Sequence, residues 1–365
     1  MHRLQLTKPD GRALTLYGLQ PLRDTGAAPS PFPEPLAGRP HLRRNPLNDE
    51  WVTYAAYRQD RTFLPPPQYD PLAVTSDADN PTELPQGNWD IAVFDNRFPS
   101  LSLAAGGMPA PALAVDTAPG MGHCEVVVFT QDRLAWLGQL PLAHLELLLR
   151  VWADRTARLG SIDGIDYVLA FENRGSEVGV TLHHPHGQLY AYPQVPPVPA
   201  RMQRVAADYF QTHARGVLQD YIQRELAAGD RVLYAGDHAV AFVPACARYP
   251  YEVWVAPIDP VETFNDLGDA QRRDLARALK TVLLKYEGLW QRPFPYLMAW
   301  YQAPTDGQAH PESHLHAQFY PPYRTRERLK YLAGTELAAG WFAMDALPED
   351  KARELQQVIV EIDAP

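Results

Sequence analysis

Two short stretches of the chain share one pattern of histidine and glutamine, HHPHGQLYAYP at 183–193 and SHLHAQFYPP at 313–322. In the first stretch His184, His186 and Gln188 alternate with other residues, and the second stretch repeats this spacing. Residues i, i+2 and i+4 of a β-strand point to the same face. Each stretch therefore predicts a strand that presents two imidazoles and a carboxamide on one side, a costly grouping to bury unless the side chains bind something.

The sequence before these stretches is also duplicated. GHCEVVVFTQDRLAWLGQL at 122–140 resembles YPYEVWVAPIDPVETFNDL at 249–267, and each continues into an amphipathic helical pattern and another apolar strand. We therefore predict a duplicated α+β fold with two antiparallel half-barrel sheets, each with a main helix.

The duplication divides the chain into two halves. The N-terminal half, 1–200, carries the HPHGQ motif, and its first part, 1–38, is predicted to be a hairpin extension that turns at Pro9-Asp10-Gly11. The C-terminal half, 201–365, carries the degenerate motif HLHAQ.

The composition limits the kind of function. The 365 residues are 46% hydrophobic and 21% charged, with a net charge of −10 and no basic run, so we expect a globular protein without a nucleic-acid partner. No apolar run is long enough to span a membrane and the N-terminus lacks an apolar signal core, so we expect no membrane partner and a cytoplasmic location. The 2 cysteines are too few for a disulfide framework. These features favour an enzyme or binding protein for small molecules.

The paired histidines of the first stretch allow three interpretations: structural residues, metal ligands or a nucleophile. A metal site requires further ligands, for which His310, His314 and His316 of the second copy are available. Nucleophilic chemistry explains more of the pattern, because a neutral imidazole attacks phosphorus and leaves again readily. Gln188 on the same face would donate to phosphate oxygens, and the loop NRGSEVG at 173–179 offers small residues where an anion could approach.

These residues resemble a known family. HPHGQ following FENRG-x-x-x-G is similar to the signature of the galactose-1-phosphate uridylyltransferases, the transferase branch of the histidine-triad superfamily. The likeness runs from RPHLRRNPLNDEWVTYAAYRQDR near residue 40 to KYLAGTELAAG near residue 340, about four-fifths of the chain. AVFDNRFPSL, DYIQRELAAGDRVLY and AWYQAP appear in order between them.

The resemblance implies uridylyl transfer from UDP-glucose to galactose 1-phosphate, giving UDP-galactose and glucose 1-phosphate by a ping-pong route. His186 would be the nucleophile that carries the uridylyl group. The His184 backbone carbonyl would hold the other nitrogen of the His186 ring, and Gln188 would bind the phosphoryl oxygens.

The resemblance also implies substrate-binding residues. Asn173, Gly179 and Thr181 match the phosphate-loop contacts. Arg58 and Arg61 match arginines near the nucleotide phosphates, supplied by the other subunit of a homodimer with a composite active site.

Other matched positions concern the nucleoside and the sugar. Asn96 matches a uridine-side asparagine, whereas Arg97 stands where an aspartate is common. Lys330 and Glu336 match the hexose-binding segment, and Phe342 replaces a glutamine there.

The sequence departs from the family at its two metal sites. The structural zinc uses a Cys-x-x-Cys pair, a loop histidine and the first motif histidine, but the segment YDPLAVTSDADNPTELP at 69–85 has no cysteine and Arg133 takes the loop position. Only His184 remains. We therefore expect no zinc, with Arg133 forming hydrogen bonds across the vacated site.

The second family site uses a glutamate and three histidines. The matching positions here are Met202, Tyr301, His316 and Gln318, so one ligand, His316, remains. We expect no cofactor and no bound metal of the family type at either place.

The sequence is also compatible with other functions. A phosphorylase of the same superfamily, acting on a nucleoside-diphosphate sugar or a dinucleoside polyphosphate, would share the histidine nucleophile. A His-x-His metalloenzyme would lose activity with a chelator, and a non-catalytic nucleotide-binding protein would form no covalent intermediate. The HLHAQ copy is interpreted as a structural relic that packs the fold or lines the sugar pocket.

Overall fold

A computed structural model describes residues 1–362 of the chain, apart from residues 24, 36–37, 61–64, 66–68 and 107–113. The predicted phosphate contact Arg61 therefore lies outside the described residues. The strands are β1 (His2–Thr7), β2 (Ala13–Gly18), β3 (His41–Arg44), β4 (Trp51–Tyr54), β5 (Ile91–Asp95), β6 (Thr117–Pro119), β7 (His123–Val128), β8 (Tyr167–Arg174), β9 (His186–Tyr192), β10 (Val232–Ala235), β11 (Ala239–Phe242), β12 (Val253–Pro257), β13 (Tyr296–Tyr301), β14 (His316–Tyr320), β15 (Tyr323–Thr325) and β16 (Arg328–Leu329).

The helices are α1 (Leu142–Gly160), α2 (Pro197–His213), α3 (Val217–Ala228), α4 (Asp269–Trp290), α5 (Gly334–Ala339) and α6 (Pro348–Gln356). Short 3-10 helices occupy Ala56–Asp60, Leu137–Gln139, Ser176–Val178 and Phe264–Asp266. Among the described residues no helix is both long and apolar enough to cross a bilayer.

One antiparallel sheet dominates the fold and confirms the α+β class. Its 11 strands follow the order β1-β2-β5-β7-β9-β8-β13-β14-β12-β11-β10. The two copies meet at β8 and β13, where Tyr296 pairs with Arg174 and Trp300 with Ala170. The two half-sheets therefore join edge to edge and continue as one sheet, with β9 and β14 in equivalent places on either side of the junction.

The main helix of each copy packs on the same face of this sheet. Residues at i, i+3 and i+4 of α1, such as Leu145, Leu148 and Leu149, are fully buried, as are the corresponding apolar residues of α4. Both helices share one hydrophobic core, in which the rings of Trp152 and Trp300 lie 5.7 Å apart. Burying each such side chain contributes roughly 1.5–3 kcal/mol, so this core sets the sheet that carries the histidines.

The N-terminal hairpin extends the sheet at one edge. β1 pairs with β2, and β2 pairs with β5. The turn between them is closed by hydrogen bonds from Lys8 N–H to the Arg12 carbonyl and from Gly11 N–H to the Lys8 carbonyl. Gly11 has φ of +82°, which glycine adopts without a steric penalty.

The C-terminal half contains more than its one predicted main helix. The buried Ile222 of α3 packs on Val240, Phe242 and Ala256, so this helix covers strands of the second copy. The predicted boundary at residue 200 lies in the first turns of α2, which begins with proline because the missing N–H has no helical partner there.

A smaller sheet flanks the first copy. β3 pairs with β4 and with β6, giving the order β4-β3-β6. The 3-10 helix Ala56–Asp60 follows β4 and carries Arg58 toward the end of β5, where its guanidinium donates to the Phe98 carbonyl.

Candidate active site

The solvent-facing side of β9 borders a cavity of about 260 Å³. Burial alternates strictly along this strand, so Leu189 and Ala191 enter the core while His186 and Gln188 face the cavity. The predicted site residues that line it are Arg58, Asn96, Asn173, Gly179, Thr181, His186 and Gln188. The structure thus brings together residues from five separate segments of the sequence.

The ring of His186 is held by one hydrogen bond. Its Nδ1 lies 2.7 Å from the carbonyl oxygen of His184, and because a carbonyl only accepts, Nδ1 carries the proton. Burial lowers the pKa of His186, so the ring is neutral and Nε2 keeps its lone pair. Within the described chain Nε2 has no hydrogen-bond partner. This nitrogen is therefore available as a nucleophile.

His184 lies behind the cavity and does not line it. Its Nδ1 is 2.7 Å from Oδ2 of Asp70, and its Nε2 is 2.8 Å from the carbonyl oxygen of Thr130. The side chain is fully buried. The His184 side chain is therefore held away from the cavity, while its backbone carbonyl binds the His186 ring.

The glycine of the HPHGQ motif is required by close packing. A Cβ atom on Gly187 would lie 2.7 Å from the ring of Phe129 and 2.8 Å from the carbonyl oxygen of Phe171. Neither neighbour can retreat easily, because Phe129 is fully buried and Phe171 belongs to β8. The second copy has Ala317 at this position.

Gln188 and Asn173 offer amides on the same wall. Gln188 pairs across strands with Phe171, and extending this register brings Asn173 level with His186. The Asn173 Oδ1 is buried and has no partner among the described residues, although most buried polar groups have one. An unpartnered amide that lines a cavity is well suited to bind a ligand.

The predicted phosphate loop follows β8 and curls beside these amides. Gly179 ends the 3-10 helix Ser176–Val178 with φ of +79°, a conformation that favours glycine. Its N–H is already used, because it donates to the Ser176 carbonyl. The Thr181 side chain lines the cavity and makes no hydrogen bond within the described chain. The polar group that this loop offers to the cavity is therefore the Thr181 hydroxyl and not the Gly179 N–H.

Arg58 and Asn96 border the other side. The Asn96 Oδ1 accepts from the Phe98 N–H at 2.9 Å, which leaves the amide nitrogen as the group it offers to the cavity. Arg58 lines both this cavity and a neighbouring groove that also contains Arg39 and Arg43. Positive charge therefore surrounds the entrance on this side.

Aromatic and charged residues such as Phe32 and Glu83 also line the cavity, and they were not predicted from the sequence. Arg97 lines the cavity, and its guanidinium carbon is 4.5 Å from the centre of the Phe32 ring. Such a plane could pack on a flat ligand. The sequence offered one indication of these residues, the charge of Arg97 beside Asn96. In the sequence, however, Arg97 stands out only as a departure from the family pattern.

A buried ion network anchors this wall to the N-terminal hairpin. Glu83 lines the cavity and accepts from Lys8 Nζ and from Arg12, each at 2.8 Å. Arg12 also pairs with Asp10 at 2.7 Å. Burial lowers the pKa of Lys8, an effect that Glu83 opposes. From the sequence, the segment KPDGR predicts only a turn, because no neighbouring residue indicates that its charged side chains are buried.

Lys330 and Glu336 do not line the cavity. Their side chains approach each other at 3.5 Å, and Lys330 Nζ also donates to the Ala343 carbonyl at 2.7 Å. The segment around them exposes Tyr331, Leu337 and Trp341. In this single chain the predicted hexose-binding residues therefore lie apart from His186.

The second copy of the motif is built differently at the reactive atom. Nδ1 of His316 donates to the His314 carbonyl at 2.8 Å, but its Nε2 accepts from the Gln318 amide at 3.1 Å. Tyr320 donates to Gln318 and contacts the hydroxyl of Tyr301 at 3.0 Å. Burial lowers the pKa of His316 to about 4. The free lone pair of His186 is therefore absent from His316.

The two metal sites implied by the resemblance do not fit the side chains. Met202, Tyr301, His316 and Gln318 do line one cavity, of about 410 Å³, but both ring nitrogens of His316 are already used. Both ring nitrogens of His184 also face acceptors. A metal ion needs a free nitrogen lone pair, and neither histidine offers one.

One other group could be considered for a metal ion within the described chain. Asp95, His123 and Glu125 bring ligand atoms within 4.8 Å of one another. Arg155 forms two hydrogen bonds to the Glu125 carboxylate, and His123 donates to Asp95 at 2.9 Å. Arginine and histidine thus already balance the two carboxylates, and we interpret the group as an ion-pair network.

Sequence profiles of a single family match both halves of the chain. The profile described as the N-terminal domain of galactose-1-phosphate uridyl transferase matches residues 33–196. The profile described as the C-terminal domain of the same enzyme matches residues 202–363.

Full-length relatives carry the same name. The chain is 36% identical over 327 residues to a galactose-1-phosphate uridylyltransferase of Thermotoga maritima, covering 88% of this chain and 99% of the relative. It is 30% identical over 342 residues to the enzyme of that name from Rattus norvegicus, covering 88% of each.

Solved structures show the same fold. A uridylyltransferase structure superposes with a TM-score of 0.76 at 28% identity, covering 87% of this chain and 98% of that chain. An ADP-glucose phosphorylase from Arabidopsis thaliana, solved with bound ADP-glucose, superposes with a TM-score of 0.64 at 25% identity, covering 88% and 100%.

Proposed function

The chain belongs to the galactose-1-phosphate uridylyltransferase family, a family of nucleotidyltransferases, and we propose that it exchanges uridylyl groups between UDP-glucose and galactose 1-phosphate. One observation carries the proposal. The neutral ring of His186 is fixed through Nδ1, and its Nε2 faces a cavity lined by Gln188 and arginine side chains. A rigid, neutral imidazole is what a covalent nucleotidyl intermediate requires.

The proposed reaction has two half-reactions. In the first, Nε2 of His186 attacks the α-phosphorus of UDP-glucose, a P–N bond forms, and the bond to the oxygen of glucose 1-phosphate breaks. In the second, a phosphate oxygen of galactose 1-phosphate attacks the same phosphorus and the P–N bond breaks, which releases UDP-galactose. The Nδ1 proton stays in place throughout. The ring becomes positively charged in the intermediate, and the His184 carbonyl stabilises that charge.

The neighbouring polar groups suit the phosphates. Gln188 is two residues from His186 on the same face of β9, so its amide N–H groups can donate to the non-bridging oxygens while charge shifts. Thr181 adds a hydroxyl donor, and Asn173 adds a carboxamide whose Oδ1 has no partner among the described residues. Arg58 supplies positive charge, and Asn96 offers its amide nitrogen. Gly179, whose N–H is already used, would contact the substrate only by lining the cavity.

We also propose a composite active site in a homodimer. Lys330 and Glu336, the expected hexose contacts, lie outside the His186 cavity of their own chain. They belong to a segment with exposed Tyr331, Leu337 and Trp341, apolar side chains that a second subunit would cover. The partner subunit would thus supply the sugar contacts, and Arg61 would also act across the interface.

The proposed setting is the cytoplasm, with small-molecule substrates and neither a nucleic acid nor a membrane as partner. Free thiols at Cys124 and Cys246 suit a reducing compartment. We propose that the reaction needs no metal, because the histidines left at the family's metal positions have no free ring nitrogen.

The phosphorylase alternative differs only in the acceptor. The structural likeness to an ADP-glucose phosphorylase keeps it as the second candidate, because both reactions would start at the same histidine. The names of the relatives at higher identity favour the transferase.

Labelled substrate tests the proposal. The protein is incubated with UDP-glucose labelled in the uridylyl phosphate, and we expect acid-labile, base-stable label on the wild type and none on His186→Ala. A chase with galactose 1-phosphate should release the label as UDP-galactose. Label retained by His186→Ala, or release only by inorganic phosphate, would overturn the assignment.

A further inference from the structure

His184 is held on both sides by oxygen atoms that only accept hydrogen bonds. Its Nδ1 lies 2.7 Å from Asp70 Oδ2, and its Nε2 lies 2.8 Å from the Thr130 carbonyl oxygen. Both distances are those of good hydrogen bonds. Each ring nitrogen therefore faces an oxygen acceptor, and the ring is held between the Asp70 carboxylate and the Thr130 carbonyl.

The Asp70 carboxylate is itself fixed. Its other oxygen, Oδ1, accepts from the Leu72 N–H at 3.0 Å, and its side chain is only 14% exposed. Burial alone would raise the pKa of Asp70, but the hydrogen bond and charge of His184, the Leu72 N–H and the charge of Arg133 hold that pKa below its usual range. Asp70 therefore stays ionised in a nearly closed site, with both of its oxygens held by hydrogen bonds.

The Asp70–His184–Thr130 arrangement connects three segments that are distant in sequence. Asp70 belongs to the segment without cysteines at 69–85, and Thr130 lies in the loop that leads to Arg133. His184 begins the motif that ends in the nucleophile. These are the segments at which the resemblance placed the ligands of a structural zinc.

From this geometry we propose that Asp70 is a positioning residue for the transfer reaction: it clamps the His184 ring against the Thr130 carbonyl and thereby fixes the backbone carbonyl that orients His186. A ring hydrogen-bonded at both nitrogens to oxygen atoms performs the tethering for which the family uses a metal ion. The expected changes in reaction rate rest on the proposed function, but the hydrogen bonds of the His184 ring can be measured without the reaction.

The clamp acts on the nucleophile through the main chain. The His184 carbonyl is the only described partner of the His186 ring, at 2.7 Å. Motion of the His184 side chain would move that carbonyl and rotate the attacking nitrogen away from phosphorus. A displacement of about 1 Å in an active site can cost on the order of a hundredfold in rate.

Arg133, the arginine expected at the vacated zinc position, acts on Asp70 through its charge. Arg133 lowers the pKa of Asp70 through its charge, whereas Asp70 rather than Arg133 binds the His184 ring. A cation next to the clamp also disfavours a metal ion there.

Three variants test the clamp. Asp70→Ala removes the acceptor, and Asp70→Asn keeps an acceptor oxygen but not the charge. Thr82→Val is the matched control in the same segment, because Thr82 bonds only within it, to the Ala73 carbonyl at 2.6 Å and to Thr75. All are made in the full chain, and each is compared by thermal unfolding before kinetics.

We expect a fall in the uridylylation rate with little change in substrate binding. Asp70→Ala should lower the rate by roughly ten- to a hundredfold and change KM for UDP-glucose by less than about threefold. Asp70→Asn should fall between Asp70→Ala and the wild type, and Thr82→Val should keep the wild-type rate. Equal rates for Asp70→Ala and Thr82→Val, or an effect confined to KM, would overturn the positioning role.

Two measurements do not depend on activity. Nitrogen-15 spectra of the His184 ring should show a hydrogen-bonded Nδ1 in the wild type, with its signal changed in Asp70→Ala and kept in Thr82→Val. Elemental analysis of the purified wild type should find far less than one zinc or iron per chain. An Nδ1 signal that Asp70→Ala leaves unchanged, or a stoichiometric metal ion, would refute the clamp. If the wild type showed the clamp but never accepted uridylyl label, the proposed function would fail instead.

Discussion

The rings of His186 and His316 are anchored identically and differ at one atom. Each Nδ1 donates to the carbonyl of the residue two positions earlier, at 2.7 and 2.8 Å. The Gln318 amide then occupies Nε2 of His316 at 3.1 Å, whereas Nε2 of His186 faces the cavity. The two copies thus share the backbone contact that holds the ring. In the second copy the Gln318 amide binds Nε2 of His316, so that this nitrogen is not free to react.

This difference predicts opposite effects for two equivalent glutamines. Gln188→Ala should slow both half-reactions by roughly a hundredfold, because a donor to the phosphoryl oxygens is lost. Gln318→Ala should leave the rates unchanged and lower the free energy of unfolding by about 1–3 kcal/mol, because buried partners of Gln318 lose their hydrogen bonds. Single-turnover labelling and urea unfolding measure the two effects. An unchanged rate in Gln188→Ala contradicts its assigned role.

The rate of uridylylation should depend little on pH near neutrality. Burial lowers the pKa of His186, and only the neutral ring attacks phosphorus. An ordinary histidine gains its proton near pH 6.5, so a lowered pKa means that the nucleophile stays neutral below this pH. The single-turnover rate should therefore remain level through pH 6.5 and fall only in more acidic solution. A fall that begins at or above pH 6.5 would show that the free ring is not desolvated.

Gly187→Ala should impair both stability and rate. The new Cβ would lie 2.7 Å from the Phe129 ring and 2.8 Å from the Phe171 carbonyl, so the strand must shift beside His186. We expect a loss of about 1–3 kcal/mol in the free energy of unfolding together with slower labelling. The control is Gly164→Ala, an open position with positive φ, which adds backbone strain without a clash. Equal labelling rates in the two variants would argue against a close fit behind the nucleophile.

The His123 network should stabilise the fold most strongly below neutral pH. Burial alone would lower the pKa of His123, but hydrogen bonds and charges from Asp95 and Glu125 raise it to about 9. A raised pKa stabilises the folded chain below the unfolded value of 6.5, and this contribution disappears as pH rises through about 9. His123→Gln should thus cost about 2–3 kcal/mol at pH 6 and much less near pH 10. Urea unfolding of both proteins at each pH checks this, and a cost independent of pH would exclude the charge effect.

Hybrid dimers test the composite site. His186→Ala and the double variant Lys330→Ala/Glu336→Ala should each be inactive. The first removes the nucleophile from both sites of the dimer, and the second removes the hexose contacts from both sites. In a symmetric dimer whose sites combine both subunits, co-expression leaves hybrids with one intact site and should restore roughly a quarter of the activity. Mixing the separately purified proteins without subunit exchange is the control. Absence of any recovery in isolated hybrids would mean that the hexose residues act within one chain.

Much of the fold follows from local patterns. The alternation of HHPHGQLYAY is visible in the sequence and places His186 and Gln188 together, because adjacent positions of a strand must face opposite ways. The apolar periodicity of α1 and α4 likewise predicts a helix in each copy. The duplication itself could be found from the sequence because both copies retain this order.

Contacts between distant segments could not be found in this way. Nothing near Asp70 indicates that it meets His184, 114 positions away. The burial of the charges in the hairpin turn, and their pairing with Glu83, depend equally on segments that meet only after folding.

The sequence by itself determined which side chains share a strand face, and hence the pair that would attack and bind a phosphate, because that geometry is set by the chain's own period of two. Only the tertiary structure decided which imidazole keeps a free nitrogen. The His184 ring is hydrogen-bonded to Asp70 and Thr130, which reach it from distant segments of the chain. Gln318 is close to His316 in the sequence, but its amide is also held by Arg248 from another segment, and no local pattern encodes such contacts.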